Sequence, residues 1–278
     1  MSLMLHCGAS EVGLHELKDI PITPRVYHYI GKDGQPRVKE RSDRWAGIQH
    51  HDFADAILST CDTMGMPVDH SRSRWGVSAN GANLFACMKF HTEIQGRATA
   101  IAKYFTDDVE PTMGLRHSNL SKFAAKATVG GGCFVCDNLI ITGEVAFNTK
   151  HTSGNVRSIK VIIHNGLVKY LDNMPTVNQL VTNLKAKYVD QATLAETYLR
   201  AARTKLMPWS HIGEVDKYWE HPTHDVFARN TDGWRLYNAF NTVAKKYNPT
   251  RQFDVIGKLH SVILPATEIA QREDEVCF

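Results

Sequence analysis

No run of apolar residues in this sequence approaches the roughly 18 to 20 that a helix needs to cross a bilayer, and the opening Met1-Ser2-Leu3-Met4-Leu5-His6 has no basic stretch leading into a signal core. Both absences predict a cytoplasmic protein without membrane contact. Charge of one sign is also missing. The 32 Lys and Arg against 29 Asp and Glu leave a formal net charge of +3, too little to mark a nucleic-acid binder, so any basic surface has to be local. There is no nucleophile elbow, Walker loop or dinucleotide glycine fingerprint. Gly130-Gly131-Gly132 lacks the following Lys and Ser/Thr that would grip phosphate and magnesium. Internal repeats and low-complexity tracts are absent too.

Cysteine is present but scattered. Cys7, Cys61, Cys87, Cys133, Cys136 and Cys277 stand in a chain large enough to fold without disulfides, so reduced thiols are expected. Cys133 and Cys136 form a lone C-x-x-C with no second pair at zinc-ribbon distance, which reads as two small apolar strand residues. The 14 histidines invite a metal reading, but Pro222 breaks the helical spacing within His221-Pro222-Thr223-His224-Asp225, and the neighbours His50 and His51 diverge. The expectation is therefore no metal, no other cofactor and no catalytic residue.

What is there is enough apolar residue, 43% of 278, to bury one sizeable core. Phe53, Ile57, Cys61 and Met64 recur at helical spacing until Gly65-Met66-Pro67. Trp75, Val77 and Ala79 alternate into Asn80-Gly81, and Leu84, Ala86, Met88 and Phe90 alternate away. That pattern predicts a β-hairpin on a type I′ turn. Further strands are expected over 112–119 and 133–142, with the glycine triplet between them giving a tight turn or a close backbone approach. After Pro175, Thr176 and Gln179 form a capping box for a long helix through Leu180, Leu184, Tyr188, Ala195, Tyr198 and Leu206, unless a break near Asp190 divides it. A last helix is expected over 232–247, stopped by Asn248-Pro249. The fold class predicted is α+β, an antiparallel β-sheet with a hairpin, packed by long C-terminal helices. The predicted organisation is one domain over 1–265 and a flexible acidic tail over 266–278.

The most charge-asymmetric stretch carries Lys150, Arg157, Lys160, Lys169, Lys185 and Lys187 against the single acid Asp172. Such a stretch supplies the phosphate-neutralising term of non-specific nucleic-acid binding. Trp75, beside Arg72 and Arg74, is a candidate base-stacking residue. The chain ends Glu273-Asp274-Glu275-Val276-Cys277-Phe278. That end resembles the acidic, hydrophobic-tipped tails of bacterial and phage single-stranded-DNA-binding proteins, and the resemblance implies that Glu273, Asp274, Glu275 and Phe278 dock replication or recombination proteins of phage or host.

Four short segments in order carry a wider resemblance: Gly114-Leu115-Arg116-His117-Ser118-Asn119, Phe134-Val135-Cys136-Asp137-Asn138-Leu139, Lys150-His151-Thr152, and the run from Asn230 to Asn241. Together they resemble the phage/plasmid-like family catalogued as domain of unknown function 932, which implies a mobile-element origin and brings no established activity. Members often show an acid after the Ser-His-type pair, whereas Asn119 follows Ser118 here. Arg116, His117, Ser118, Asn138, His151 and Thr152 are expected to converge on one surface, either a catalytic one or a phosphate-binding floor; these side chains are typical phosphate contacts, and the set lacks the paired carboxylates of a metal-dependent nuclease. A hairpin sheet packed by a basic helix also resembles the plan of phage single-strand annealing proteins. The function these observations favour is single-stranded DNA binding in DNA replication or recombination, with a homo-oligomer left open. An enzyme acting on nucleic acid or nucleotides, and a host-takeover or anti-defence protein acting through protein contacts, are the alternatives.

Overall fold

A computed structural model describes residues 10–20, 26–30, 33–40, 44–78, 81–119, 124–133, 138–247 and 249–276. In chain order the elements are β1 (Ser10–Glu11), β2 (Val26–Ile30), β3 (Pro36–Glu40), α1 (His50–Thr63), β4 (Arg74–Ser78), β5 (Asn83–Lys89), β6 (Glu93–Ile94), β7 (Arg97–Ala98), β8 (Val109–Ser118), β9 (Ala125–Cys133) and β10 (Leu139–Thr149). The helices α2 (Ser153–Arg157), α3 (Ile159–Lys185), α4 (Gln191–Arg203), α5 (Trp209–Glu220), α6 (Asp225–Ala228), α7 (Gly233–Ala244) and α8 (Pro249–Val276) follow. The fold is α+β: six strands form an antiparallel sheet in the order β1-β4-β5-β8-β9-β10, and the C-terminal helices pack on it. Strands β2 and β3, and β6 and β7, form separate two-stranded ribbons.

The β4–β5 hairpin forms with Ser78 paired to Asn83 and Arg74 to Cys87. Gly81 takes a φ of +84° in its turn, a conformation that glycine enters without a Cβ clash; Asn80 lies outside the described residues. The glycine triplet sits inside β9 rather than in a turn. It serves the close-approach role instead: a Cβ on Gly131 would fall 2.5 Å from Val109 and 3.4 Å from Val177 of α3.

Strand register assigns the two faces. Gly131 pairs with Pro111, and Pro111 lies three residues from Gly114 on β8, so the two glycines face opposite ways. A Cβ on Gly114 would meet the Phe253 ring of α8 at 2.5 Å. Helix α3 therefore covers one face and α8 the other, and both faces of the central strands are buried. One contiguous apolar cluster runs through the described chain, from Leu17 to Ile263, with Phe53, Tyr170, Tyr237 and Phe240 among its largest members.

The helical half differs from the expected pattern at three points. Helix α3 starts at Ile159 and carries Pro175 inside it, so Thr176 is mid-helix and caps nothing. Proline removes one backbone bond there, but the buried stripe Leu167, Tyr170, Met174, Val177, Val181 and Leu184 runs through it. Several buried side chains, worth about 1.5–3 kcal/mol each, outweigh that local defect. The break near Asp190 is real: its side chain accepts from Thr193 N and caps α4. Tyr188, expected in the stripe, is 66% exposed at that break. Helix α8 (Pro249–Val276) follows the helix over 232–247 that the sequence pattern predicts as the last. No helix among the described residues is long and apolar enough to cross a membrane.

Candidate nucleic-acid interface

Several residues expected on a binding floor are inside the protein. Trp75 is 5% exposed, so its ring is packed into the core and not available to stack a base. His117 and Ser118 are wholly buried, and Asn138 and His151 nearly so. The reason is that β8 is covered on both faces, so neither parity of its residues reaches solvent freely.

The four segments carrying the family resemblance meet two by two. In the first meeting, His117 of β8 lies between His50 at the start of α1 and His151 in the β10–α2 connection, with ring centroids 4.8 and 4.7 Å away. Phe53 stacks on the same imidazole at 4.7 Å. Burial holds the His117 imidazole well below the usual histidine range, and His151 and His50 push it the same way. Beside it Ser118 donates to Asn83 Oδ1 at 2.7 Å. Thr152 caps α2 by accepting from Asn155 N. In the second meeting, Asn138 Nδ2 donates to Asn238 Oδ1 at 2.8 Å, and Asn241 Nδ2 donates to the Leu139 carbonyl. Asp232 caps α7 through Arg235 N at 2.8 Å, while a Cβ on Gly233 would meet the Leu184 carbonyl at 2.9 Å. These contacts dock α7 on β10 and α3. The expected convergence of Arg116, His117, Ser118, Asn138, His151 and Thr152 is thus mostly a set of buried structural contacts.

The predicted cations divide by what holds them. Arg72 donates to Asp69 at 2.6 Å and to Glu110 at 2.9 Å. Burial opposes the Asp69 charge, but hydrogen bonds from Ser71 and Arg72 outweigh it and hold that carboxyl well below the usual carboxylate range. Arg74 sits 3.4 Å from Glu11, and Lys185 is 2.6 Å from Asp108. Lys187 is half-buried, and its carbonyl accepts from Gly233 N. Arg116 faces α8 and shares a small concavity with Lys126, its cross-strand partner, and Phe253. Burial lowers the Lys126 pKa, and Arg116 lowers it further. Lys160 and Lys169 are nine residues apart on α3, hence about 180° apart around it, so the basic stretch is not one face.

Lys169 stays exposed on its own side of α3, and three other cations stay exposed in one stretch of chain. Lys150, Arg157 and Lys160 are exposed where β10 passes through α2 into α3, and no described carboxylate forms an ion pair with any of them. Arg44, which sequence reasoning missed, is exposed beside them because its carbonyl accepts from Ser153 N. Next to Lys160 opens a groove of about 350 Å³ between α1 and α3, lined by Ser59, Thr60, Thr63, Lys160, Val161 and His164. The i, i+4 pair Lys160 and His164 was a legible sign of one wall; the facing hydroxyls come from a helix a hundred residues earlier in the chain and had no such sign.

Among the described residues no group of three His, Cys, Asp or Glu side chains is arranged to hold a metal ion. His50 and His117 approach through Nδ1 atoms 2.7 Å apart, a hydrogen-bond distance. Cys61 and Cys87 are buried, and burial pushes the Cys61 pKa up to about 12. Cys136 and the side chain of Cys133 lie outside the described residues, as do the side chains of Glu273, Asp274 and Glu275 and all of Phe278. No curated protein and no solved structure matches the chain. A family model described as Domain of unknown function (DUF932) matches residues 38–263, most of the chain and all of the paired segments described above, and the protein belongs to that family.

Proposed function

We propose that this protein binds single-stranded DNA through its phosphates, in DNA replication or recombination of a mobile element. The observation that carries this reading is the set Arg44, Lys150, Arg157 and Lys160, exposed and without a described carboxylate partner around the β10–α2–α3 connection, with Lys160 lining the α1–α3 groove. Cations without a carboxylate partner among the described residues keep their attraction for a polyanion, and each phosphate they neutralise releases counterions. With Trp75 buried, binding rests on phosphate contacts and not on stacking, which fits weak sequence preference. The acidic end, Glu273 to Phe278, is the proposed docking element for a phage or host replication or recombination protein.

Fluorescence anisotropy with a labelled oligo-dT at about 50 mM salt tests the reading. Saturable binding is expected, tighter than to a duplex of equal length. No detectable binding at that salt, or equal affinity for duplex, contradicts it.

A further inference from the structure

The hydrogen atoms on the buried histidines can be assigned from their partners. His50 Nε2 lies 2.6 Å from the Gly81 carbonyl oxygen. A carbonyl only accepts, so Nε2 of His50 carries hydrogen. In a neutral ring its Nδ1 is then a lone pair, and that atom lies 2.7 Å from Nδ1 of His117. His117 must therefore donate from Nδ1, which leaves its Nε2 as a lone pair. That atom is fully buried and has no hydrogen-bond partner among the described residues. The result is a directed relay, from His117 to His50 to the hairpin turn, ending in one acceptor without a partner among the described residues.

The relay joins segments distant in the chain. Gly81 belongs to the β4–β5 turn, His50 opens α1, His117 nears the end of β8, and His151 lies in the connection that leads into α2. The His151 carbonyl also accepts from Ala46 N at 3.0 Å, and Trp45 bridges to Thr152, so the strap before α1 is tied to the same place. The titratable groups acting on His117 are His50 from α1 and His151 from the β10–α2 connection. Around them, Arg116 and Ser118 on β8 point to the α8 face, the β5 partner of His117 is the apolar Leu84, and Arg44 and Lys150 are exposed. His51, next to His50, turns outward to Asp55 at 3.3 Å.

We propose that His50, His117 and His151 form a proton-operated latch that holds the hairpin turn, the start of α1 and the β10–α2 connection together when neutral and releases them on proton uptake. His117 Nε2 is an open site for the first proton. A proton on His50 Nδ1 then sets two N–H donors face to face across the 2.7 Å contact, which breaks it. The sign follows from burial, which lowers the pKa of both His50 and His117. The opened state binds more protons, so the latch is at full strength above about pH 6.5 and weakens as pH falls through that value toward the lowered ones. The latch is argued from other side chains than the DNA reading, although the segments it holds carry Arg44 and Lys150.

Hydrogen exchange read by mass spectrometry on the intact chain, corrected for intrinsic rates, at about pH 7.5 and about pH 5, tests the latch. Protection in peptides covering 44–50, 81–84 and 150–157 should fall at least about tenfold more at the acid pH than protection in α7. In His50→Gln, whose side chain does not titrate, that differential loss should shrink severalfold. If His50→Gln does not fold, the wild-type comparison alone decides. Equal change in the latch peptides and α7, or no change in either, overturns the proposal, as does a folded His50→Gln variant that keeps the whole acid effect.

Discussion

Gly166 of α3 lies directly on the ring of Phe147 in β10: a Cβ placed on it would fall 2.7 Å from Phe147 Cδ1 and 3.2 Å from the Ala146 carbonyl. Helix and strand approach closely there because nothing projects between them. Replacing an interior helix glycine by alanine ordinarily stabilises by about 1 kcal/mol. Here the overpacking, about 1–3 kcal/mol, outweighs that gain, so Gly166→Ala is expected to lower stability in urea denaturation. Gly213 of α5 is the control, since nothing lies within 4 Å of its added Cβ. Gly213→Ala should raise stability by about 0.5–1 kcal/mol.

Helix α4 ends on a residue that is unsuited to its conformation. Lys205 has a φ of +56°, with its N–H on the Ala202 carbonyl at 3.0 Å and the Leu206 N–H on Ala201 at 2.9 Å. This is a Schellman termination, which favours glycine at the left-handed position. Lys205→Gly should add about 1 kcal/mol, read as a higher midpoint in denaturant with an unchanged slope.

Glu110 sits 3% exposed between Arg72 at 2.9 Å and Lys89 at 3.3 Å. Removing the buried carboxylate takes the ion-pair partner from the mostly buried Lys89 while Arg72 keeps Asp69, so Glu110→Ala should cost about 1–3 kcal/mol. Arg72→Gln should lower stability yet leave oligo-dT affinity within about twofold under conditions where screening is moderate. A large affinity loss in Arg72→Gln at unchanged stability would return that arginine to the binding surface.

The elements that were legible in the sequence are those with local punctuation. The start of α7 is written in Asp232, the end of α1 in Gly65-Met66-Pro67, and the hairpin in Gly81. The start of α3 was misplaced because Pro175, Thr176 and Gln179 imitate a helix start inside a helix held by burial, and the end of α4 was blurred because lysine stands where glycine is the usual sign.

The candidate site was less legible for a different reason. The family segments single out His117 and His151, but their link to α1 runs through His50, which is 67 residues from His117 in the chain. Likewise the pairing of Lys185 with Asp108 spans 77 residues. Local charge density cannot reveal which cations find carboxylates in the fold, and that division separates Lys150, Arg157 and Lys160 from Arg72, Arg74 and Lys185.

The most direct measurement is the dependence of oligo-dT affinity on salt for the wild type and for a Lys150→Gln, Arg157→Gln, Lys160→Gln triple variant. Each phosphate contact on a single strand contributes about 0.7 to the slope of log affinity against log salt. The triple variant should therefore bind more weakly and with a slope shallower by about 2, while Lys185→Gln, whose ammonium is already held by Asp108, should keep the wild-type slope. An unchanged slope in a folded triple variant would contradict the account.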